Sequence, residues 1–216
     1  MDVDRAAVDH VLTTTRSVRR RLDLTRPVPR ELLLECIGIA EQAPVGSNQV
    51  SRWRWLVIDD PDLKTEIAHS YRQAWDGYAG RWDPSGLDER ARRTMAAAAF
   101  VAEHLAEVPA LVLPCVRRHR SSTGPDEPMP HAAATSVYGS VYPSIWSFCL
   151  ALRARGVGSS ITTMHLHDAD RIAGLLGIPE DFLQVCLLPV GFHTGDTFHP
   201  VPRPDPATIT GFNAWP

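Results

Sequence analysis

Apolar residues in this chain fall into two patterns, stripes at helical spacing and unbroken runs, and the two alternate along its length. Ala7, Val8, Val11 and Leu12 line one side of a segment that predicts a first helix over residues 3–20. Leu33, Cys36, Ile37 and Ala40 predict a second over 29–43, with Pro29 in its first turn and Pro44 as its stop. Asp60 and Pro61 supply a cap and a first-turn proline for a helix reaching Tyr78, and another is expected over 87–106. The longest spans 134–155. It repeats Val137, Val141, Ile145, Phe148, Cys149 and Leu152 until Gly156, with a kink expected at Pro143. A last helix starts at His167 or Asp168 and ends at Leu176, before Gly177 and Pro179.

The unbroken runs at 53–58, 109–116 and 183–190, with a shorter one at 158–163, predict strands, the second of them central. Strands separated by helices imply an α+β class, a three-layer αβα arrangement in a single domain over 1–216. Two stretches fit neither pattern. Residues 117–132 carry Ser, Gly and three prolines without periodicity, the length of loop that serves as a lid or lacks local order. Residues 191–216 are Pro-rich yet hold Phe198, Phe212 and Trp215, so this tail is expected to pack on another element or on a partner subunit.

Composition narrows the possible functions. The 216 residues suffice for one sizeable core, and a net charge of -3 argues against a nucleic-acid partner. Cys36, Cys115, Cys149 and Cys186 lie far apart inside apolar runs without metal-ligand spacing, which reads as buried reduced thiols. The N-terminus lacks the apolar stretch of a signal peptide and no run reaches membrane-spanning length. A soluble cytoplasmic protein is expected, with no membrane partner.

Arg16-Ser17-Val18-Arg19-Arg20-Arg21 places four guanidiniums and a hydroxyl side by side. Such forks match phosphate or carboxylate oxygens, and a solvated charge run is the other reading. Nucleophile-elbow, phosphate-loop and zinc-protease signatures are absent. Gly156-Val157-Gly158 lacks the third glycine of a dinucleotide fingerprint and follows a helix rather than a strand. His165 and His167 have metal-ligand chemistry but no third ligand, so they read as surface or capping histidines, and no metal is expected. What remains is the arginine cluster, the turn Pro44-Val45-Gly46-Ser47-Asn48, the segment ending Thr162-Thr163 and Arg203. Together these suit a large, flat, phosphorylated cofactor.

Over nearly its whole length the chain resembles the FMN-dependent nitroreductase family. The resemblance rests on Arg16-Ser17-Val18-Arg19, on Ala43 to Asn48 leading to Trp53-Arg54-Trp55, and on Tyr142 to Trp146 running into Ala151 to Gly158. Pro109 to Val116, Leu175 to Pro179, Leu187 to Gly191 and Pro200 to Arg203 complete it. It implies an intertwined homodimer whose C-terminal extension lies on the partner, with FMN at the subunit interface. Carried over by position, Arg16, Ser17, Arg19 and Arg203 hold the phosphate and ribityl chain. Pro44, Gly46, Ser47 and Asn48 reach the ring from the other subunit, and Thr162, Thr163 and Met164 lie beside it with a backbone N–H near N5. Three departures from the family pattern are Thr15, Val45 and a longer stretch between Asn48 and Trp53.

The implied activity is NADH or NADPH oxidation, with hydride passed through flavin N5 to a nitroaromatic, quinone or related small-molecule acceptor in a ping-pong cycle. No side chain acts as acid, base or nucleophile. Tyr71, Trp75, Tyr78 and Trp82 are expected either to shape the acceptor pocket or to pack in the core. Dehalogenation, azoline oxidation, flavin fragmentation and non-catalytic flavin binding are the alternatives.

Overall fold

The computed structural model describes residues 3–45, 53–118 and 130–216. The expected turn residues Gly46, Ser47 and Asn48 and most of the 117–132 loop lie outside the described residues. In chain order come α1 (Arg5–Thr14), α2 (Arg30–Ala40), β1 (Trp53–Ile58), α3 (Pro61–Ala79), α4 (Glu89–His104) and β2 (Ala110–Arg117). They are followed by α5 (His131–Arg153), β3 (Val157–Ser159), α6 (Ala169–Leu176), β4 (Phe182–Gln184) and β5 (Leu188–Phe192).

The strands form one antiparallel sheet in the order β1-β2-β5-β3, with β4 also on β2. Strand β2 is the central one, as its apolar run predicts. Its residues alternate between two cores. Ala110, Val112 and Val116 join Cys36 and Ala40 of α2 and Ile145 and Phe148 of α5 on one face. Leu111, Leu113 and Cys115 join Ile67 and Tyr71 of α3, Val101 of α4 and Ile172 of α6 on the other. Helices therefore cover both faces, the three-layer α+β arrangement expected. Within the first of these helical layers, α2 and α5 are tied by a buried hydrogen bond from Ser144 Oγ to the Ala40 carbonyl (3.0 Å) and by the Arg155–Glu35 ion pair (2.6 Å). All four cysteines are free and buried.

The structure corrects three sequence expectations. The first helix stops at Thr14 rather than Arg20. Thr13, Thr14 and Thr15 are β-branched, and their hydroxyls bond back to the carbonyls of Asp9, His10 and Val11, which weakens helix continuation. The chain then runs extended so that the Val18 N–H donates to the Ser159 carbonyl at 2.9 Å, laying the arginine segment along β3. The expected strand over 183–190 is split, because the side carrying β4 and β5 has one residue more than β2 opposite it. Val112 pairs with Leu188 and Cys115 with Gln184, and the surplus bulges at Val185–Leu187. That bulge turns Leu187 to Thr162, whose N–H and carbonyl it takes up in an isolated bridge. His165, expected at the surface or in a cap, is fully buried, and Asp168 precedes α6 without capping it through its side chain.

The tail divides in two. Phe198 is buried between the guanidiniums of Arg21 (4.2 Å) and Arg153 (4.0 Å), with His193 at its edge. Beyond it Ile209, Phe212 and Trp215 are 63%, 85% and 95% exposed. Val8 and Leu12 of α1 also face outward.

Candidate functional site

The pairing of Val18 with β3 decides which arginines are presented. Val18 and Leu22 are buried, so Ser17 and Arg19, on either side of Val18, are turned to the opposite face of the extended segment. There they line a groove of about 730 Å³ together with Arg16, Arg90 and Thr94 of α4, Trp146 of α5 and Arg203 of the tail. Among the described residues no carboxylate lines this groove. Arg19, Arg90 and Arg203 make no ion pair among the described residues. Three unpaired guanidiniums converging with a serine hydroxyl form a set of donors without an acid, on a chain that is acidic overall. A second recess of about 260 Å³ shares Arg16, Ser17 and Arg19 with it and is also lined by Arg20, Arg21, Thr197 and His199.

Arg16 lines the groove but its guanidinium is engaged elsewhere. Both Nη atoms donate to the Thr13 and Thr15 carbonyls at the end of α1, the role of a cation at a helix C-terminus. Its Nε is buried without a partner among the described residues.

Thr162, Thr163 and Met164 lie where β3 has ended and a short 3-10 turn, Met164–Asp168, begins. The Thr162 N–H donates to the Leu187 carbonyl at 3.0 Å and is therefore taken. The N–H groups of Thr163 and Met164 have no acceptor among the described residues, and Thr163 is exposed. They are the available backbone donors of this segment. The Thr162 hydroxyl lies 2.8 Å from the Tyr71 hydroxyl.

Tyr71 is only 3% exposed, so it belongs to the core and not to the wall of an open acceptor pocket. Burial pushes its phenol up from the ordinary range, against smaller opposing effects of the Thr162 hydrogen bond and of Arg19. Trp75, Tyr78 and Trp82 continue outward from it along α3 and the following turn as a ladder of tilted rings, successive centroids 5.9 Å apart, with Trp82 exposed. Pro44 is exposed just before the undescribed residues. Sequence reasoning missed Arg90 and Trp146. Arg90 carries a readable signal: positions 93 and 94, its neighbours on the helix surface, hold no acid, whereas Arg93 pairs with Glu89 at 3.5 Å.

A family model described as the nitroreductase family matches residues 12–192. The chain belongs to the nitroreductase family. Among curated relatives, it is 30% identical over 173 residues to the iodotyrosine deiodinase of Drosophila melanogaster, covering 78% of this chain and 56% of that protein. Against iodotyrosine deiodinase 1 of Rattus norvegicus it is 26% identical over 185 residues, covering 84% and 60%. The chain thus spans less than two thirds of the length of these two curated relatives. Among solved structures, an oxidised iodotyrosine deiodinase bound to FMN and 3-iodo-L-tyrosine superposes with a TM-score of 0.70 at 22% identity, covering 95% of this chain and 98% of that one. The NADPH:FMN oxidoreductase of Vibrio harveyi complexed with NAD+ gives 0.68 at 15% identity, covering 96% and 77%. Identities of this size speak for the shared fold alone. No helix among the described residues is long and apolar enough to cross a membrane.

Proposed function

We propose that this nitroreductase-family chain is an FMN-dependent oxidoreductase that works as a homodimer, takes reducing equivalents from NADH or NADPH, and reduces a small nitroaromatic, quinone or related acceptor. The observation that carries this reading is the convergence of Arg19, Arg90, Arg203 and Ser17, without an acid, on one groove. Such a set suits a phosphate monoester, and the groove's volume of about 730 Å³ leaves room for the chain attached to it. Ser17, Arg19 and Arg203 hold the phosphate, Arg16 borders it while capping α1, and Thr162, Thr163 and Met164 flank the ring. The free N–H groups of Thr163 and Met164 serve as the donors toward its edge. Pro44, Gly46, Ser47 and Asn48 reach the ring of the other subunit. When bound, FMN supplies the two-electron chemistry, and the protein supplies position and electrostatics. Trp75, Tyr78 and Trp82 shape the acceptor side.

The exposed apolar side chains support the dimer. Leu12 of α1, Tyr138 and Trp146 of α5, and Ile209, Phe212 and Trp215 of the tail leave large apolar side chains exposed on the single chain, surface that a partner subunit would cover. The tail then lies on the partner subunit.

A second reading, reductive dehalogenation of a halogenated aromatic in the same site, is favoured by the 30% identity to the Drosophila deiodinase. Purified protein settles the matter by spectroscopy and turnover. A yellow protein that releases FMN on heating and oxidises NADH or NADPH only with a nitroaromatic or quinone present supports the first reading. Iodide release from 3-iodo-L-tyrosine under dithionite, with no nicotinamide oxidation, supports the second. A flavin-bound protein inactive in both assays is a flavin carrier, and a colourless one that takes up no added FMN overturns all three.

A further inference from the structure

Tyr71 and Thr162 stand 91 residues apart in sequence, on α3 and after β3, with their hydroxyl oxygens 2.8 Å apart. Which of them donates follows from burial. Tyr71 is 3% exposed and its hydroxyl has no other partner among the described residues, so its proton has one acceptor, Thr162 Oγ1. The opposite direction would strand a buried phenol proton, whereas Thr162 is half-buried and can direct its own proton elsewhere. The Thr162 backbone is held at both its N–H and its carbonyl by Leu187, at 3.0 and 2.8 Å. With its N–H taken, the hydroxyl proton is the donor that Thr162 has left, and Tyr71 fixes the oxygen that carries it. Arg19, near enough to act on the phenol, makes it a stronger donor while burial keeps it neutral.

We propose that Tyr71 is a positioning residue for the bound flavin: its phenol donates to Thr162 Oγ1 and thereby directs the Thr162 hydroxyl proton to the edge of the ring. The inference rests on the FMN reading above. It makes the core side of α3 part of the device that sets the electronic state of the cofactor, although Tyr71 itself does not touch it. A tyrosine that merely fills the core would influence stability alone.

The test uses the FMN-loaded full chain and reads the midpoint potential and visible absorption bands of the bound flavin beside thermal stability. Tyr71→Phe, which removes one buried oxygen, is expected to shift the potential to more negative values and move the absorption bands. Thr162→Val should shift both in the same sense, Thr162→Ser should keep the wild-type values, and the double variant Tyr71→Phe/Thr162→Val should add nothing to Thr162→Val alone. Were Tyr71→Phe not to fold, 3-fluorotyrosine at position 71, a stronger donor of nearly equal size, should move the potential the opposite way. Wild-type potential and spectrum in Tyr71→Phe, or in the fluorotyrosine protein, overturn the proposal and leave the FMN reading standing. A wild-type chain that binds no FMN overturns both.

Discussion

A Cβ on Gly158 would lie 2.7 Å from the Cβ of Val18. That contact is where the arginine segment rests on β3, and the neighbouring hydrogen bond from Val18 N–H to the Ser159 carbonyl holds it there at 2.9 Å. Gly158 is therefore required for close approach and not for an unusual backbone angle. In Gly158→Ala the whole segment must lift, because the opposing atom is the root of a β-branched side chain. The expected loss is about 1–3 kcal/mol of stability, the range for overpacking. FMN retention should fall in parallel as Ser17 and Arg19 move. Denaturant titration and flavin release measured on the same preparation check this, and wild-type values in both would mean that the segment is not seated by Gly158.

Phe198 and Phe212 lie in the same tail with opposite surroundings, one 8% and the other 85% exposed. Phe198→Ala should cost about 3 kcal/mol or more. It should also loosen Arg203, five residues on, and so weaken FMN binding. Phe212→Ala should leave the stability of the single chain alone and raise the dimer dissociation constant. Sedimentation equilibrium alongside thermal melts separates the two effects, and an unchanged dissociation constant in Phe212→Ala would argue against the tail as a subunit contact.

His165 makes acid stability measurable at one residue. Burial holds its imidazole down to about 4 against an ordinary 6.5, and both ring nitrogens lack a partner among the described residues. Between those values the unfolded chain binds a proton that the folded chain does not. This part of the stability is therefore intact above the unfolded value and is lost progressively as pH falls toward about 4. Denaturant midpoints followed from neutral pH downward should fall more steeply for the wild type than for His165→Leu. Parallel profiles would mean that the buried imidazole titrates as it does in water.

How far the sequence was legible depended on whether a pattern was local. Leu33, Cys36 and Ala40 mark the buried face of α2 because period and burial coincide, and the run at β1 matched its strand at both ends. The end of α1 was misread because the threonine hydroxyls and the pull of Ser159 on Val18 both act against a favourable periodicity. The latter reaches across more than half the chain. The bulge at Val185–Leu187 depends on how many residues β2 sets opposite it, which no single run records. Within the site, Arg19 and Arg203, far apart in the sequence, line one groove. Arg90 escaped notice because it sits among surface arginines: the lack of an acid at helical spacing marks it as free, but only tertiary packing brings it to Arg19 and Arg203. For Tyr71 the sequence left pocket wall and core open, because aromatic residues at helical spacing read alike whether they face a cleft or a core.

Arg16 and Arg19 offer the sharpest separation of stability from binding. The Arg16 guanidinium donates to the last carbonyls of α1. Arg19 stands on the outward face with Ser17, opposite buried Val18 and Leu22, and has no carboxylate partner among the described residues. Arg16→Ala removes the donors that close the helix end and should lower the stability of the chain without FMN by about 0.5–1.5 kcal/mol for each hydrogen bond lost. Arg19→Ala removes no side-chain hydrogen bond among the described residues, so the melting temperature of the FMN-free chain should stay at the wild-type value. Its FMN dissociation constant should rise by the equivalent of about 1.5–3 kcal/mol, the range for a hydrogen bond to a charged group. Because a phosphate contact is an ion pair at a partly open groove, the wild-type constant should also weaken with added salt, and the Arg19→Ala constant should weaken less. Fluorescence titration of FMN at two ionic strengths, with melts of both FMN-free variants, decides between the roles. Equal losses of stability in the two variants, with unchanged FMN affinity in Arg19→Ala, would return the arginine cluster to the solvated surface.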